Sequence, residues 1–166
     1  MWKQLRTAWI SKTVYDQMIA EADRVSPNET GGVLVGYWAV LAQELVVTAV
    51  IGPGPRATHE KDRFIPEPEY QETQVARHYE DSGRLHTYLG DWHTHPHSSS
   101  RPSRLDRKTL SVIAHHPEAR APVPIMGIVA GGTPWTLKLW CGLPIRIGRR
   151  ISGMRTSSFA VNIFQP

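Results

Sequence analysis

Two histidines and an aspartate that could bind one metal ion occur within a short stretch of the sequence. His93 and His95 are separated by one residue, and Asp106 follows after a serine-rich run. On a β-strand, residues two apart share a face with Cα atoms about 6.5 to 7 Å apart, so the two imidazoles could converge on one ion. Two nitrogens and one carboxylate leave a fourth position open, which is typical of catalytic zinc. We therefore predict one Zn²⁺ held by His93, His95 and Asp106, with a bound water.

Other interpretations of the same stretch remain open at the level of sequence. Asp91 is a rival third ligand, because on a strand it would share the face of the two histidines. Ser103 and Asp106 also have the spacing of a capping box, in which both side chains bind backbone amides at a helix start. His97 follows a proline and is more typical of a loop at the rim of a site. The sequence therefore leaves Asp91 as the alternative to Asp106 for the third ligand.

The elements that must position these side chains can be predicted from the flanking residues. Residues 85–95 are rich in aromatic and β-branched side chains, which favours a strand, and Pro96 should end it. A helix should begin at Ser103 and end before Pro117, since apolar and polar positions from Leu105 onward recur at helical spacing, namely Leu105, Thr109, Val112, Ile113 and His116. Asp106 would then lie in the first turn of this helix.

A glutamate ahead of a glycine-initiated apolar strand is the second unusual feature. Glu29 precedes Gly31 and Gly32, which open a predicted strand ending at Trp38. An isolated glutamate in such a place is ordinarily an exposed turn residue. Paired glycines, however, permit close approach of neighbouring backbone. If the fold brings Glu29 beside the metal without ligating it, Glu29 could act as the general base and later as the acid.

The remaining elements give a fold class. We predict strands and helices in mixed order with most strands adjacent in sequence: strands at 6–10, 29–38, 44–51, 63–65, 85–95, 123–130 and 135–141, and helices at 11–25, 66–82 and 103–116. This order argues for an α/β (α+β) domain whose mixed, largely antiparallel sheet is flanked by helices, rather than for a doubly wound fold. Residues 131–134 are typical of a hairpin turn.

Composition and charge limit the possible functions. The chain has 166 residues, 40% of them hydrophobic and 20% charged, and its net charge is +4. All of that excess lies in residues 144–166, which contain four arginines and no acid, so binding to nucleic acid is not expected. Cys141 is the only cysteine, which excludes an intrachain disulfide and a cysteine-based zinc cluster. We expect a cytoplasmic protein that does not bind membranes.

The combination of these residues resembles a known family. The sequence matches the five signature positions of the JAMM motif of MPN-type zinc metalloproteases with Glu29, His93, His95, Ser103 and Asp106. Glu29 is followed by Thr-Gly-Gly-Val-Leu-Val-Gly, and the likeness runs from about residue 7 to residue 142. The resemblance implies a curved sheet with flanking helices, zinc on His93, His95 and Asp106, and Glu29 acting on the zinc-bound water. Ser103 could cap its helix or face the oxyanion of the tetrahedral intermediate.

The resemblance also implies a substrate. Members of the family hydrolyse isopeptide or peptide bonds after the C-terminal glycine of ubiquitin-like proteins. Compact stand-alone members resemble those encoded with ubiquitin-like conjugation machinery in antiphage operons, where partners would include E1- and E2-like proteins. Trimming of a sulfur-carrier protein for cofactor or cysteine synthesis is the alternative reaction. A metal-free MPN scaffold is the alternative of a different class.

The domain boundary predicted from sequence is at residue 143. Residues 1–143 contain every motif position and every predicted strand, so we expect them to form the metalloprotease domain and to fold without the basic tail 144–166. The apolar residues of that tail are the counterargument, since they could dock on the body or on a partner: Ile145, Ile147, Phe159, Val161, Ile163 and Phe164.

Overall fold

A mixed eight-stranded sheet forms the centre of the protein. The computed structural model describes residues 7–41, 43–148 and 150–165. The strands are β1 Thr7–Ser11, β2 Gly31–Ala39, β3 Glu44–Ile51, β4 Thr58–Glu60, β5 Arg63–Ile65, β6 Thr87–Pro96, β7 Ile125–Gly131, β8 Trp135–Ile147, β9 Arg150–Ser158 and β10 Ala160–Phe164. The helices are α1 Lys12–Val25, α2 Pro68–Asp81 and α3 Arg104–His115. The large sheet has the order β10-β1-β3-β2-β6-β7-β8-β9, and β4 and β5 form a separate hairpin.

This sheet contains both parallel and antiparallel pairs, which confirms the predicted mixed topology. Strand β2 pairs antiparallel with both β3 and β6, and β8 does so with β7 and β9. Strands β1 and β3, β1 and β10, and β6 and β7 pair in parallel. The metal-site strand β6 is therefore central, with neighbours on both sides and no free edge.

One face of the sheet is covered by α1. Ser11 caps this helix as predicted, its hydroxyl accepting a hydrogen bond from the amide of Val14 at 3.2 Å. Val14, Met18 and Ala22 recur at helical spacing and are buried against the main hydrophobic core. Trp92 from β6 is 1% exposed in this core. Residues 92 and 94 thus face α1, and 93 and 95 face the opposite side.

Helices α2 and α3 cover parts of the opposite face and leave the histidines between them. Val33 and Val35 of β2 pack there with Val75 of α2. Leu110 of α3 packs on Met126 and Ile128 of β7, with Ala130 and Trp140 beside them. The side chains of His93 and His95 emerge from β6 between these two apolar clusters.

Three parts of the predicted architecture need correction. The expectation that every strand precedes residue 144 is wrong, because β8 continues to Ile147 and β9 and β10 join the two edges of the sheet. The loop after residue 52 contains a further short strand, β4. In α3 the buried positions are Asp106, Leu110 and Ile113, whereas Leu105 and Val112 are 70% and 58% exposed.

The two errors near the chain end and in α3 have physical causes. Alternating apolar residues after 144 are sparse and interrupted by arginine and glycine, and β10 pairs with β1, which lies at the other end of the described chain. The buried face predicted for α3 has the correct helical period, but it includes residues of the neighbouring, exposed face.

Among the described residues, no helix combines the length and the apolar character that crossing a membrane requires.

Candidate metal centre

The two histidines converge because of their positions on β6. Their Nε2 atoms lie 2.8 Å apart, and both imidazoles are partly buried. The Nδ1–H of His95 donates to the carbonyl oxygen of Ser99 at 2.9 Å, which turns its Nε2 lone pair toward His93. Such a bond to the second nitrogen fixes the tautomer and orientation of a metal-binding histidine. Burial lowers the pKa of His95, which favours the neutral form that binds metals.

Asp106 completes the group from the first turn of α3. Its Oδ1 lies 3.2 Å from Nε2 of His93, and its Oδ2 lies 3.6 Å from Nε2 of His95. The capping box is also present: the amide of Ser103 donates to Oδ2 of Asp106 at 2.6 Å, and the hydroxyl of Ser103 accepts from the amide of Asp106 at 3.1 Å. The capping-box interpretation of this aspartate is therefore confirmed, and the same geometry is compatible with a ligand role.

Charge and hydrogen bonding favour the ionised carboxylate of Asp106. Burial by itself would raise the pKa of Asp106, but the hydrogen bond and charge of His93, with the donors at Ser103, outweigh it and hold the pKa well below its usual range. An ionised carboxylate facing two imidazole nitrogens is the donor set that zinc takes in catalytic sites.

The spacing of the three ligand atoms fits a single ion. Tetrahedral zinc with bonds of about 2.0 to 2.1 Å places its ligand atoms about 3.3 Å from one another. Here the two Nε2 atoms lie 2.8 Å apart, Oδ1 of Asp106 lies 3.2 Å from Nε2 of His93, and Oδ2 of Asp106 lies 3.6 Å from Nε2 of His95. His93, His95 and Asp106 form one candidate metal-binding group whose ligand atoms all lie within 4.8 Å of one another. The residues that are present thus fit a zinc ion.

Asp91 and His97 do not belong to this group. Oδ1 of Asp91 accepts a hydrogen bond from the hydroxyl of Tyr88 at 2.8 Å, and burial raises the pKa of Asp91. His97 is exposed, with a left-handed backbone (φ 58°), and its amide donates to the carbonyl of Gly131. The rim position expected for His97 agrees with this geometry.

Glu29 is held beside the centre by contacts with two strands. Gly31 is directly opposite His93 in the β2–β6 register, and the amide of Thr94 donates to the carbonyl of Thr30 at 2.8 Å. From the β4 side, the amide of Glu29 donates to Glu60, and Nδ1 of His59 donates to the carbonyl of Glu29 at 2.9 Å. This places Glu29 near the metal-binding group, close enough for its carboxyl to interact with the charges of His93 and Asp106.

The environment of Glu29 suits a group that exchanges protons. Burial raises the pKa of the Glu29 carboxyl; the charge of His93 opposes the rise, and those of Asp106 and Asp62 add to it. These interactions show that the carboxyl shares the electrostatic surroundings of His93 and Asp106. The glutamate is partly buried, unlike the exposed turn residue that the sequence alone would favour.

The role of His59 in holding Glu29 has no local signal in the sequence. The two residues are thirty positions apart, and the contact depends on the β4–β5 hairpin folding over the start of β2. Only the aromatic pairing of His59 with Phe64 across that hairpin gives a hint, because stacked rings on paired strands favour such a turn.

Comparison with protein families and curated proteins finds relatives of this chain. The family model of prokaryotic homologs of the JAB domain matches residues 11–140. A probable metalloprotease, y4qB, from Sinorhizobium fredii is 37% identical over 159 residues, which are 95% of this chain and 96% of that protein. A CD-NTase/cGAS isopeptidase from Enterobacter hormaechei is 30% identical over 135 residues, which are 78% of this chain and 70% of that protein.

A solved structure has the same fold at low sequence identity. The solution structure of protein DSY2949 from Desulfitobacterium hafniense superposes with a TM-score of 0.67 and 19% identity, and the match covers 96% of this chain and 94% of that one. At that identity the likeness concerns the fold alone. The expected single domain with a mixed sheet and flanking helices is therefore confirmed.

Proposed function

The chain belongs to the family of prokaryotic homologs of the JAB domain, and from this premise we propose that it is a zinc-dependent isopeptidase or peptidase that cleaves after the C-terminal glycine of a ubiquitin-like protein. The observation that carries the proposal is the convergence of His93, His95 and Asp106 within 4.8 Å, with Glu29 beside them. The names of the curated relatives support the general part of this proposal, namely that the protein is a hydrolase of the metalloprotease class. The proposed location is the cytoplasm.

The chain's own residues supply what the reaction needs around the ion. A bound zinc would act as a Lewis acid and lower the pKa of a water from 15.7 to about 7. Glu29 takes the proton from the attacking water and delivers it to the departing amine, so it serves as base and then as acid. Its raised pKa brings it closer to the pKa range in which both transfers are efficient.

Ser103 has a hydroxyl proton to offer. Its oxygen accepts the amide of Asp106, and that bond leaves the hydroxyl hydrogen free to donate. Ser103 is exposed at the start of α3, next to the ligand Asp106. In this proposal the hydroxyl stabilises the oxyanion of the tetrahedral intermediate, a type of contact worth about 3 to 4 kcal/mol in other hydrolases.

The relatives' names favour a second substrate for the same reaction. Three of the curated relatives carry the name CD-NTase/cGAS isopeptidase. The second candidate substrate is accordingly an isopeptide conjugate of a CD-NTase, in an antiphage conjugation system with E1- and E2-like partners. Processing of a sulfur-carrier protein is the remaining enzyme alternative, and an MPN scaffold is the alternative without catalysis.

The experiment that tests the proposal is a comparison of Glu29→Gln with the wild type. Glutamine keeps the size of the side chain but cannot accept the water's proton. We expect zinc content and melting temperature close to wild type, and cleavage slowed by about 10² to 10⁴. Cleavage is measured on C-terminal glycine fusions of a ubiquitin-like protein, a CD-NTase and a sulfur-carrier protein, which also separates the candidate substrates.

Two controls make the result specific. Cys141 is buried in β8 and burial raises its thiol pKa, so Cys141→Ser should cleave normally if water rather than a thiolate is the nucleophile. A chelator should abolish cleavage, and zinc should restore it. Unchanged turnover in Glu29→Gln, or no cleavage of any fusion by the zinc-loaded wild type, would favour the scaffold.

A further inference from the structure

A cavity of about 590 Å³ lies along the first half of β6, and its lining includes Asp91, two residues before His93. Its floor includes Tyr88 and Asp91, one wall is formed by Val75 and Tyr79 of α2, and the segment after α3 contributes Arg120. This volume falls within the range of small-ligand and side-chain pockets. None of the residues assigned to catalysis or metal binding lines it.

The floor carries a carboxylate that the proposed reaction does not use. The hydroxyl of Tyr88 donates to Oδ1 of Asp91 at 2.8 Å, and none of the ion pairs among the described residues includes Asp91. A carboxylate has about four lone-pair sites, so acceptor capacity remains for a donor from a ligand. A cationic donor would favour the ionised form of Asp91 against the burial that raises its pKa. The Tyr88 bond also fixes the direction of the carboxylate.

The charges around the cavity favour a cation. Glu72 and Glu118 join Asp91 in its lining, against Arg120 and the titratable His116. The rest of the lining is largely apolar or aromatic, which suits an alkyl chain below a charged head. Lysine and arginine side chains have both parts.

The position of Asp91 relates this cavity to the scissile bond. Asp91 and His93 are two residues apart on β6 and face the same side, so their Cα atoms are about 6.5 to 7 Å apart. Successive same-side residues of an extended peptide have the same spacing. On the acyl side of an isopeptide bond, the main chain of the substrate continues directly to the scissile carbonyl. On the amine side, the lysine methylenes separate the bond from the main chain. The spacing between Asp91 and His93 therefore fits a substrate residue on the acyl side.

We propose that this cavity is a specificity subsite for a lysine or arginine side chain two residues before the terminal glycine of the substrate, with Asp91 and Tyr88 as its recognition residues. This inference rests on the proposed function. The two residues after the basic one would be glycines or similarly small residues, which offer little side chain to contact. The basic residue would therefore provide most of the recognition of the tail.

Binding of product peptides tests the subsite without any turnover. The zinc-loaded protein is titrated by NMR with acetyl-Ala-Ala-Xaa-Gly-Gly peptides in which Xaa is Arg, Leu or Glu. A charge-assisted hydrogen bond to Asp91 should make the Arg peptide bind about tenfold more tightly than the Leu peptide, and the Glu peptide most weakly. Shifts should concentrate at Tyr79, Tyr88 and Asp91.

Variants then assign the preference to the floor of the cavity. Asp91→Asn should reduce the Arg-over-Leu ratio to about twofold while zinc content stays at wild type, and Tyr88→Phe should reduce it partially. Asp81→Asn is the matched control, because Asp81 is on α2 but outside the cavity, in an exposed ion pair with Arg77. It should leave the ratio unchanged.

The outcomes separate this inference from the proposed reaction. Equal affinities for the Arg, Leu and Glu peptides on the wild type would overturn the subsite, whatever the variants do. Agmatine binding as tightly as the Arg peptide would overturn the assignment to a substrate tail and indicate a free amine as ligand. An Arg preference without cleavage of any fusion would support the subsite and contradict the proposed reaction.

Discussion

Asp106 connects a helix start to the metal centre through one carboxylate. Its Oδ2 accepts the amide of Ser103 and so closes the capping box, while its Oδ1 faces His93. The cap fixes the rotamer of the aspartate before any ion binds, which lowers the ordering cost of the third ligand. Asp91 lacks this arrangement, since its hydrogen bond to Tyr88 directs it into the neighbouring cavity.

Zinc content should follow this division of roles. We expect about one zinc per chain in the wild type and strong loss in His93→Ala, His95→Ala and Asp106→Ala, because each removes one of three protein ligands. Asp91→Ala should retain the ion. Metal analysis of the purified variants measures this, and retention by Asp106→Ala together with loss by Asp91→Ala would reverse the choice of third ligand.

Loss of the cap must be distinguished from loss of the ligand. Ser103→Ala removes the hydroxyl that caps α3 but leaves the backbone amide that binds Asp106. The expected result is a decrease in the free energy of unfolding of about 0.5 to 2 kcal/mol with zinc still bound. Denaturant unfolding with parallel metal analysis checks it; a zinc-free variant would mean that the hydroxyl itself is needed to hold the ion.

The glycines at the start of β2 are what allow this strand to lie against its neighbours. A Cβ at Gly31 would be 2.3 Å from the carbonyl oxygen of Trp92, and one at Gly32 would be 1.9 Å from that of Ile51. The close backbone approach predicted from the paired glycines is thus confirmed. It sets the distance between Glu29 and the histidines, since Gly31 is opposite His93.

Gly31→Ala should therefore disturb both stability and the metal centre. The new methyl group meets the backbone oxygen of Trp92 and the ring of Phe64, so β2 and β6 must separate and the ring must shift, and we expect the free energy of unfolding to fall by about 1 to 3 kcal/mol. Zinc affinity should fall as well. Gly52→Ala is the control, because nothing lies within 4 Å of its added Cβ; equal effects of the two substitutions would contradict the argument.

The last strand, β10, extends the sheet beside the first strand, β1. Strand β10 pairs in parallel with the whole of β1, from Thr7 with Ala160 to Ser11 with Phe164. Phe159 is 7% exposed in the main core, and its amide donates to the carbonyl of Leu139 at 3.0 Å. Residues after 143 therefore contribute both backbone pairing and buried apolar area to the body of the protein.

Truncation after Leu143 should consequently destabilise the protein, contrary to the expectation drawn from sequence. It removes β9, β10 and the buried Phe159 ring, and loss of such a ring alone costs about 3 to 5 kcal/mol out of a typical 5 to 15. We expect aggregation or a large drop in melting temperature. Truncation after Phe164 keeps β10 and should melt like the full chain; a folded, zinc-bound protein ending at Leu143 would show that the tail is dispensable.

The sequence by itself determined the local elements and the identity of the chemical groups. Strand β3 has the predicted bounds, α1 has the predicted cap, and His93 and His95 share a face because strand geometry has a period of two. These features depend on residues close in sequence. The JAMM spacing added the set of Glu29, His93, His95 and Asp106, and the family match confirms the resemblance.

Only the tertiary structure decided the features that depend on contacts between distant residues. Asp106 rather than Asp91 faces the histidines because α3 packs on β7, and the final strands belong to the sheet because β10 finds β1. The cavity floored by Asp91 exists because α2 and the segment after α3 stand apart above β6. Periodicity gives the face of each element, but packing determines which faces meet, and that depends on the whole chain at once.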